Sequence, residues 1–364
     1  MKTVAVLSND HLWTYNLRKE LLERLLEEDY RVILILPYGE KVELLRQMGC
    51  EFIDVPMFER RGKNPIKEIE LISFYYRTLK NIRPNVVLSY TIKPNLYGGY
   101  VAGLLRIPFI ANITGLGTIA EGGIMSSLAR LMYKEGLKNA TCVFAQNKGN
   151  KEYLINNRIV DKNKIIQING SGVNLSRFNV SEYPTGEVVK FCFISRILKE
   201  KGIEEYLEAA RIVRKECKNT EFHVCGFCED DYSGKLNDYI ERQDIVYHGM
   251  IDDVPDFLSG MSCLIHPSYY LEGVSNVLLE ACASGRPIIT TDHEGCRETV
   301  DDGVNGYMVP VKNVDKLVEA VERFLSLSYK EKQEMGLAAR KKVEEEFDRK
   351  LIVDAYMREV NKIE

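Results

Sequence analysis

The sequence predicts an α/β protein built from two doubly wound, parallel-sheet, Rossmann-like domains. Three observations carry that reading. Short apolar runs alternate with longer amphipathic stretches along the chain, the rhythm of parallel strands joined by crossover helices. The rhythm pauses once, in the loop-like run Asn179-Val180-Ser181-Glu182-Tyr183-Pro184-Thr185-Gly186-Glu187, and then restarts. The length, 364 residues, suits two domains at about 150 residues each.

In the first half, strands are expected at residues 3–7, 32–36, 52–55, 86–89, 109–113, 141–145 and 164–168. Amphipathic stretches such as 17–26, 42–48 and 69–79 lie between them. After the linker come a strand at 189–195, a helix at 203–214, strands at 222–225 and 245–248, a helix at 254–260, a strand at 263–266, a helix at 276–283 and a strand at 287–290. Helices near 314–327, 329–345 and 349–361 close the chain. The expected domains are 1–180 and 181–345, facing each other across a cleft, followed by a C-terminal helix at 346–364. Ligands of such sheets bind at the carboxyl ends of the strands.

Composition narrows the class. With 45% hydrophobic and 28% charged residues the chain can bury a proper core, which excludes a disordered chain or a small disulfide scaffold. No apolar run reaches the roughly 18 residues of a membrane span. The start, Met1-Lys2-Thr3-Val4-Ala5-Val6-Leu7-Ser8, lacks a signal-peptide pattern, so a cytoplasmic protein is expected. Nine cysteines, an odd number, are then read as reduced thiols. Cys225-Gly226-Phe227-Cys228 has no second ligand pair and follows a strand, so it reads as a strand-end turn. Residues 1–180 carry 25 Lys and Arg against 17 Asp and Glu, a balance of +8, and the remainder carries −12. The asymmetry reads either as separate partners for the two halves or as drift in surface composition.

The densest chemical signal runs from Pro267 to Pro287. A buried strand ends near His266, and a loop carries Glu272-Gly273, where glycine lets backbone approach a ligand. A helix opens around Ser275-Asn276, both good cap residues, and its free N–H groups and dipole suit a diphosphate. Glu280, four residues past Asn276, lies on the same helix face. One carboxylate thus precedes the anion site and one follows it, which suits a sugar nucleotide: hexose hydroxyls at one end, ribose hydroxyls at the other.

Glu272-Gly273-Val274-Ser275-Asn276-Val277-Leu278-Leu279-Glu280-Ala281-Cys282-Ala283-Ser284-Gly285-Arg286-Pro287 resembles the signature of the family 4 retaining glycosyltransferases of GT-B fold, and every fixed letter of that pattern is present. Thr91-Ile92-Lys93-Pro94-Asn95-Leu96-Tyr97-Gly98 and Ile113-Thr114-Gly115-Leu116-Gly117 extend the likeness to the capsular and exopolysaccharide branch. Ser195-Arg196-Ile197-Leu198-Lys199-Glu200-Lys201-Gly202 is similar to the family's G-R-L-x-x-x-K-G, with Ser195 replacing the glycine and Ile197 the leucine.

The resemblance implies that Glu272, Arg196 and Lys201 carry the chemistry. It implies that Gly273, Val274, Ser275, Asn276 and Glu280 complete the nucleotide-sugar site. Arg196 and Lys201 would hold the donor diphosphate, which gains charge as the glycosidic bond breaks. The second domain would bind the donor, a UDP-sugar; the first would bind a saccharide acceptor linked to a lipid diphosphate at the inner membrane face; the final helix would cross back onto the first domain. No cofactor and no nucleic acid is expected.

No metal is expected either. The acidic pairs Asp230-Asp231, Asp252-Asp253 and Asp301-Asp302 form no D-x-D triplet and read as turn and cap residues. The first half departs from the family. The loop Ser8-Asn9-Asp10-His11 has no glycine, and the run from Asn112 to Gly117 has no histidine. That argues against a histidine general base and fits front-face chemistry, in which the leaving phosphate oxygen takes the acceptor proton. Asn9, Lys93, Thr114 and Gly115 are the candidates for the acceptor or cleft. The basic loop of Arg60, Arg61, Lys63 and Lys67 enters a helix carrying Leu71, Ile72, Phe74 and Tyr75, which reads either as a membrane-surface contact or as a solvated loop over a core helix. Two alternatives stay open: a sugar-nucleotide 2-epimerase of the same fold and a non-catalytic sugar-nucleotide-binding protein.

Overall fold

The computed structural model describes residues 1–58, 64–119, 123–228 and 232–363. Arg60, Arg61, Lys63 and the pair Asp230-Asp231 lie outside the described residues. The chain divides into two compact units, Met1–Ser171 with Arg349–Glu364, and Gly172–Asp348.

In the first unit, β1 (Thr3–Leu7), β2 (Arg31–Leu36), β3 (Glu51–Asp54), β4 (Val86–Tyr90), β5 (Phe109–Ile113), β6 (Cys142–Ala145) and β7 (Ile165–Gln167) form a parallel sheet ordered β3-β2-β1-β4-β5-β6-β7. The connecting helices are α1 (His11–Glu27), α2 (Val42–Gln47), α3 (Pro65–Ile82), α4 (Gly99–Leu105), α5 (Gly123–Leu137) and α6 (Lys148–Asn156). β4, β5 and β6 are buried along their whole length, which is why they read as unbroken apolar runs: a parallel strand is covered on both faces. Local chemistry starts the helices. Asp10 Oδ1 accepts the Trp13 N–H at 2.9 Å, and Asn64 caps α3 ahead of Pro65.

One side of this sheet is covered by α3, α4 and α5 through Leu71, Tyr75, Val101, Ala102, Tyr133 and Leu137. Leu71 and Tyr75 are core residues, and Ile72 and Phe74 also pack against that core, which favours the core-helix reading of this stretch over exposed apolar side chains. The outward large apolar positions of α3 are Ile66, Ile69 and Tyr76. The other side is covered by α1 and by α13 (Arg349–Asn361), whose Ile352, Val353, Tyr356 and Val360 pack with Val4 and Leu22.

In the second unit, β8 (Val189–Ile194), β9 (Thr220–Cys225), β10 (Val246–Tyr247), β11 (Cys263–His266), β12 (Ile288–Thr291) and β13 (Gly306–Val309) form a parallel sheet ordered β10-β9-β8-β11-β12-β13. Its helices are α7 (Ile203–Glu216), α8 (Ser233–Glu241), α9 (Val254–Ser259), α10 (Asn276–Ala283), α11 (Val314–Ser326) and α12 (Tyr329–Glu346). β13 escapes the sequence reading because it is a four-residue edge strand that opens on a glycine and exposes Met308.

The sequence places the domain boundary at 180/181, whereas the units part between Ser171 and Gly172. Val173 and Phe178 pack in the second core beside Leu258, Leu278 and Leu279, and the Val173 N–H donates to the Phe347 carbonyl at 2.8 Å. The fully buried Arg286 holds the expected linker as well, donating to the carbonyls of Glu182 and Ser259 at 3.0 Å each.

Candidate functional site

In the second unit the strand order reverses between β8 and β11, so the loops leaving these two neighbouring strands open a crevice at their carboxyl ends. The β8 loop carries Arg196 and a short 3-10 turn, Lys199–Lys201, which closes on Gly202. Gly202 has φ +79°, and a Cβ there would lie 2.2 Å from the Pro267 carbonyl oxygen, so only glycine lets this turn approach the β11 loop. The two loops are tied by the Tyr269 N–H, which donates to the Glu200 carbonyl at 2.9 Å.

That approach assembles the predicted residues. Lys201 Nζ lies 2.7 Å from Glu272 Oε2, with side-chain exposures of 7% and 21%. The Tyr270 ring sits under both cations, 5.4 Å from the Arg196 guanidinium and 4.9 Å from the Lys201 ammonium. Behind Glu272 stands His266, 1% exposed, its Nε2 3.8 Å from Glu272 Oε1, which is too long for a hydrogen bond. Neither ring nitrogen of His266 has a hydrogen-bond partner among the described residues.

Burial by itself would raise the Glu272 carboxyl, but the Lys201 ammonium and the His266 ring outweigh it and hold the group at about 2. Burial lowers His266 below the ordinary imidazole value, against the pull of Glu272, so the ring is neutral at pH 7.

The loop then turns into α10. Gly273 is buried, and the Val274 side chain belongs to the core. The Ser275 N–H donates to the Gly295 carbonyl at 2.8 Å. Ser275 is the N-cap of α10 by backbone position, but its side chain makes no cap hydrogen bond, contrary to the sequence expectation of a side-chain cap. The first-turn amides keep their capacity for an anion. Asn276 follows at the first helical position, and Glu280 lies one turn further along.

His266, Glu272 and Cys296 offer ligand atoms within 4.8 Å of one another, the group of described residues that could share a metal ion. The donor set fits an ammonium better. Lys201 already occupies the carboxylate, and burial pushes the Cys296 thiol up to about 12, which keeps it protonated. The described acidic pairs have structural roles: Asp253 Oδ1 accepts the Asp256 N–H at 3.1 Å at the start of α9, Asp301 pairs with Lys342 at 3.0 Å, and Asp302 Oδ1 accepts the Met308 N–H at 2.8 Å. All nine cysteines are free, and Cys225 is buried.

In the first unit the order reverses between β1 and β4. Asn9 follows β1, Lys93 follows β4, and Thr114 and Gly115 follow β5, so the four leave the carboxyl ends of three adjacent strands. Lys93 is half-buried rather than open, its Nζ 2.6 Å from Glu68 Oε1 of α3. Thr91, just before it, has φ +72°, a left-handed conformation costly for a β-branched residue, and a π-helical turn, Pro94–Gly98, follows.

Comparison with known proteins agrees with this geometry. Residues 177–342 match the family described as glycosyl transferases group 1, and residues 3–147 match glycosyl transferase 4-like. The chain is a group 1 glycosyltransferase. This glycosyltransferase is 26% identical to the N,N'-diacetylbacillosaminyl-diphospho-undecaprenol alpha-1,3-N-acetylgalactosaminyltransferase of Campylobacter jejuni, over 98% of this chain and 97% of the relative. It is 26% identical to the capsular polysaccharide biosynthesis glycosyltransferase CapM of Staphylococcus aureus, over 79% and 80% of the two chains. Among solved structures, a glycosyltransferase of Rickettsia africae superposes with a TM-score of 0.82 at 19% identity, covering 100% of this chain and 98% of that one. Anabaena HepE, crystallised with UDP and glucose, superposes with a TM-score of 0.80 at 15% identity over the whole of both chains. At these identities the likeness establishes the fold, GT-B.

Two site residues escape the sequence reading, His266 and Tyr270. Both flank the Glu272 motif; the strand order brings Tyr270 against Arg196 and Lys201, and His266 stands 3.8 Å behind Glu272.

Proposed function

We propose that this glycosyltransferase moves a hexose or N-acetylhexosamine from a UDP-sugar to a saccharide carried on a lipid diphosphate, with retention at the anomeric carbon, in surface polysaccharide synthesis. The observation that carries the donor half is the convergence of Arg196, Lys201 and Glu272 at the β8/β11 reversal, beside the N-terminus of α10. The names of the Campylobacter and Staphylococcus relatives support the acceptor and the pathway class.

In this reading Arg196, Lys201 and the first amides of α10 receive the diphosphate, Glu280 the ribose hydroxyls, and Glu272 the transferred sugar. The bond from the anomeric carbon to the diphosphate oxygen breaks, and the bond to the acceptor oxygen forms on the same face. The acceptor proton passes to the departing phosphate oxygen. Arg196 and Lys201 stabilise the charge that accumulates there, positioned in advance by Tyr270. Glu272, held ionised, accepts hydrogen bonds from sugar hydroxyls and stabilises positive charge at the anomeric centre. Asn9, Lys93, Thr114 and Gly115 serve the acceptor.

A screen of nucleoside diphosphates and nucleotide sugars for thermal stabilisation, followed by transfer of the stabilising sugar to a diphosphate-linked lipid saccharide, tests this. UDP and one UDP-sugar should raise the melting temperature, since a ligand of the folded state stabilises by mass action. Stabilisation by another nucleotide family alone would overturn the donor assignment; release of an epimerised free sugar nucleotide would overturn transfer.

A further inference from the structure

The geometry points to the outer face of α3, α4 and α5 as a surface that rests on an anionic lipid bilayer. The inference deepens the proposed function by naming a partner, and it rests on the reading of a lipid-linked acceptor.

The three helices pack side by side on one face of the first sheet, with their inner residues in a common core. Each also presents an apolar pair outward, at helical spacing: Ile66 and Ile69 on α3, Tyr100 and Leu104 on α4, Leu128 and Leu131 on α5. These six side chains are 46–67% exposed, and Tyr76 of α3 adds a seventh. On the opposite face α1, α2 and α13 expose one large apolar side chain each, Trp13, Leu44 and Leu351. Single exposed apolar residues are ordinary; seven on one helical layer are a patch.

Charge chooses the occupant. Around the patch Arg77, Lys80, Arg83, Arg106, Lys134 and Lys138 are exposed, against exposed Glu70 and Glu135 among the described residues. The Lys80 ammonium lies 5.5 Å from the Tyr76 ring, a cation carried beside an aromatic as interfacial surfaces carry them. Apolar side chains standing among an excess of cations suit anionic headgroups over acyl chains: the first enter the boundary and the second hold the phosphates. A second copy of this chain would bring the same positive charge to the contact. Among the described residues no helix is long and apolar enough to cross a membrane.

Co-sedimentation of the full chain with phosphatidylglycerol vesicles and with phosphatidylcholine vesicles tests the surface. The wild type should bind the anionic vesicles about tenfold more tightly or better, and about 0.5 M salt should weaken that binding. Two variant sets are compared: Leu104→Asp with Leu128→Asp and Leu131→Asp, and Arg77→Gln with Lys80→Gln, Lys134→Gln and Lys138→Gln. Each should lose about tenfold or more in vesicle binding while UDP binding and melting temperature stay unchanged. No binding by the wild type, or wild-type binding by both sets, ends the proposal. So does a dimer in ultracentrifugation that the leucine set splits, which would assign the face to a second copy. Vesicle binding without sugar transfer would leave the surface standing and remove the proposed function instead.

Discussion

Lys201 Nζ and Glu272 Oε2 lie 2.7 Å apart at the point where the β8 and β11 loops meet, and the Tyr270 ring places Arg196 beside them. The pair joins the residue assigned to the leaving group with the residue assigned to the sugar, so each is expected to fail in its own way when altered.

Lys201→Ala or Arg196→Ala removes a charge-assisted contact to the diphosphate worth about 1.5–3 kcal/mol. Steady-state kcat/KM should fall about 10- to 150-fold, with the melting transition preserved for Arg196→Ala, whose side chain is the more exposed. Kinetics like the wild type in either variant would remove that residue from the site.

The two glutamates should separate. Glu280→Ala is expected to weaken free UDP in calorimetry, because it is assigned to the ribose. Glu272→Ala should spare UDP and impair transfer, because it is assigned to the sugar. Equal losses of UDP affinity would contradict the assignment.

His266 is a positioning residue in this account. If Lys201 turns toward a bound diphosphate, the His266 ring 3.8 Å behind Glu272 still limits where the carboxylate can move. His266→Leu should bind UDP normally yet lose about tenfold in kcat, about 1.4 kcal/mol of transition-state stabilisation. His266→Gln, which keeps a donor, should recover part of it. Equal damage to UDP binding and turnover in both variants would mark the ring as packing alone.

The carboxyl of Glu272, held at about 2 against an ordinary 4.5, links the site to stability. A depressed carboxylate contributes stability that is fully present above pH 4.5 and fades as the pH falls toward 2. The stability gap between wild type and Glu272→Gln should therefore be smaller at pH 3 than at pH 6 in urea unfolding. A gap independent of pH would show that the pair does not couple to folding.

What was legible in the sequence follows from where information is local. Glu272, Ser275, Asn276 and Glu280 lie in one loop and helix, so their order along the chain is their order in space. Arg196 and Lys201 were legible through their own strand-to-helix motif. His266 was not, because β11 is buried along its whole length and such a strand shows no alternation to say where a ring points. The role of Tyr270 needs the β8–β11 pairing, which a sequence does not print. On α3 the apolar residues run nearly all round, so the sequence could not tell the inward Leu71 and Tyr75 from the outward Ile66 and Ile69. Lys93, a candidate for the acceptor or cleft, follows β4, and its partner Glu68 is 25 residues away on another element, where local sequence gives no sign of the pairing.

Retaining transfer at the Lys201–Glu272 site would leave its mark in the anomeric configuration of the first-formed product. The most direct measurement is a proton NMR time course of the anomeric signal, with the stabilising UDP-sugar and a diphosphate-linked lipid saccharide as acceptor. The first-formed product of the wild type is expected to carry the anomeric configuration of the donor, and Glu272→Gln should form it far more slowly. A first-formed product of inverted configuration, or an unchanged rate in the variant, would contradict the account.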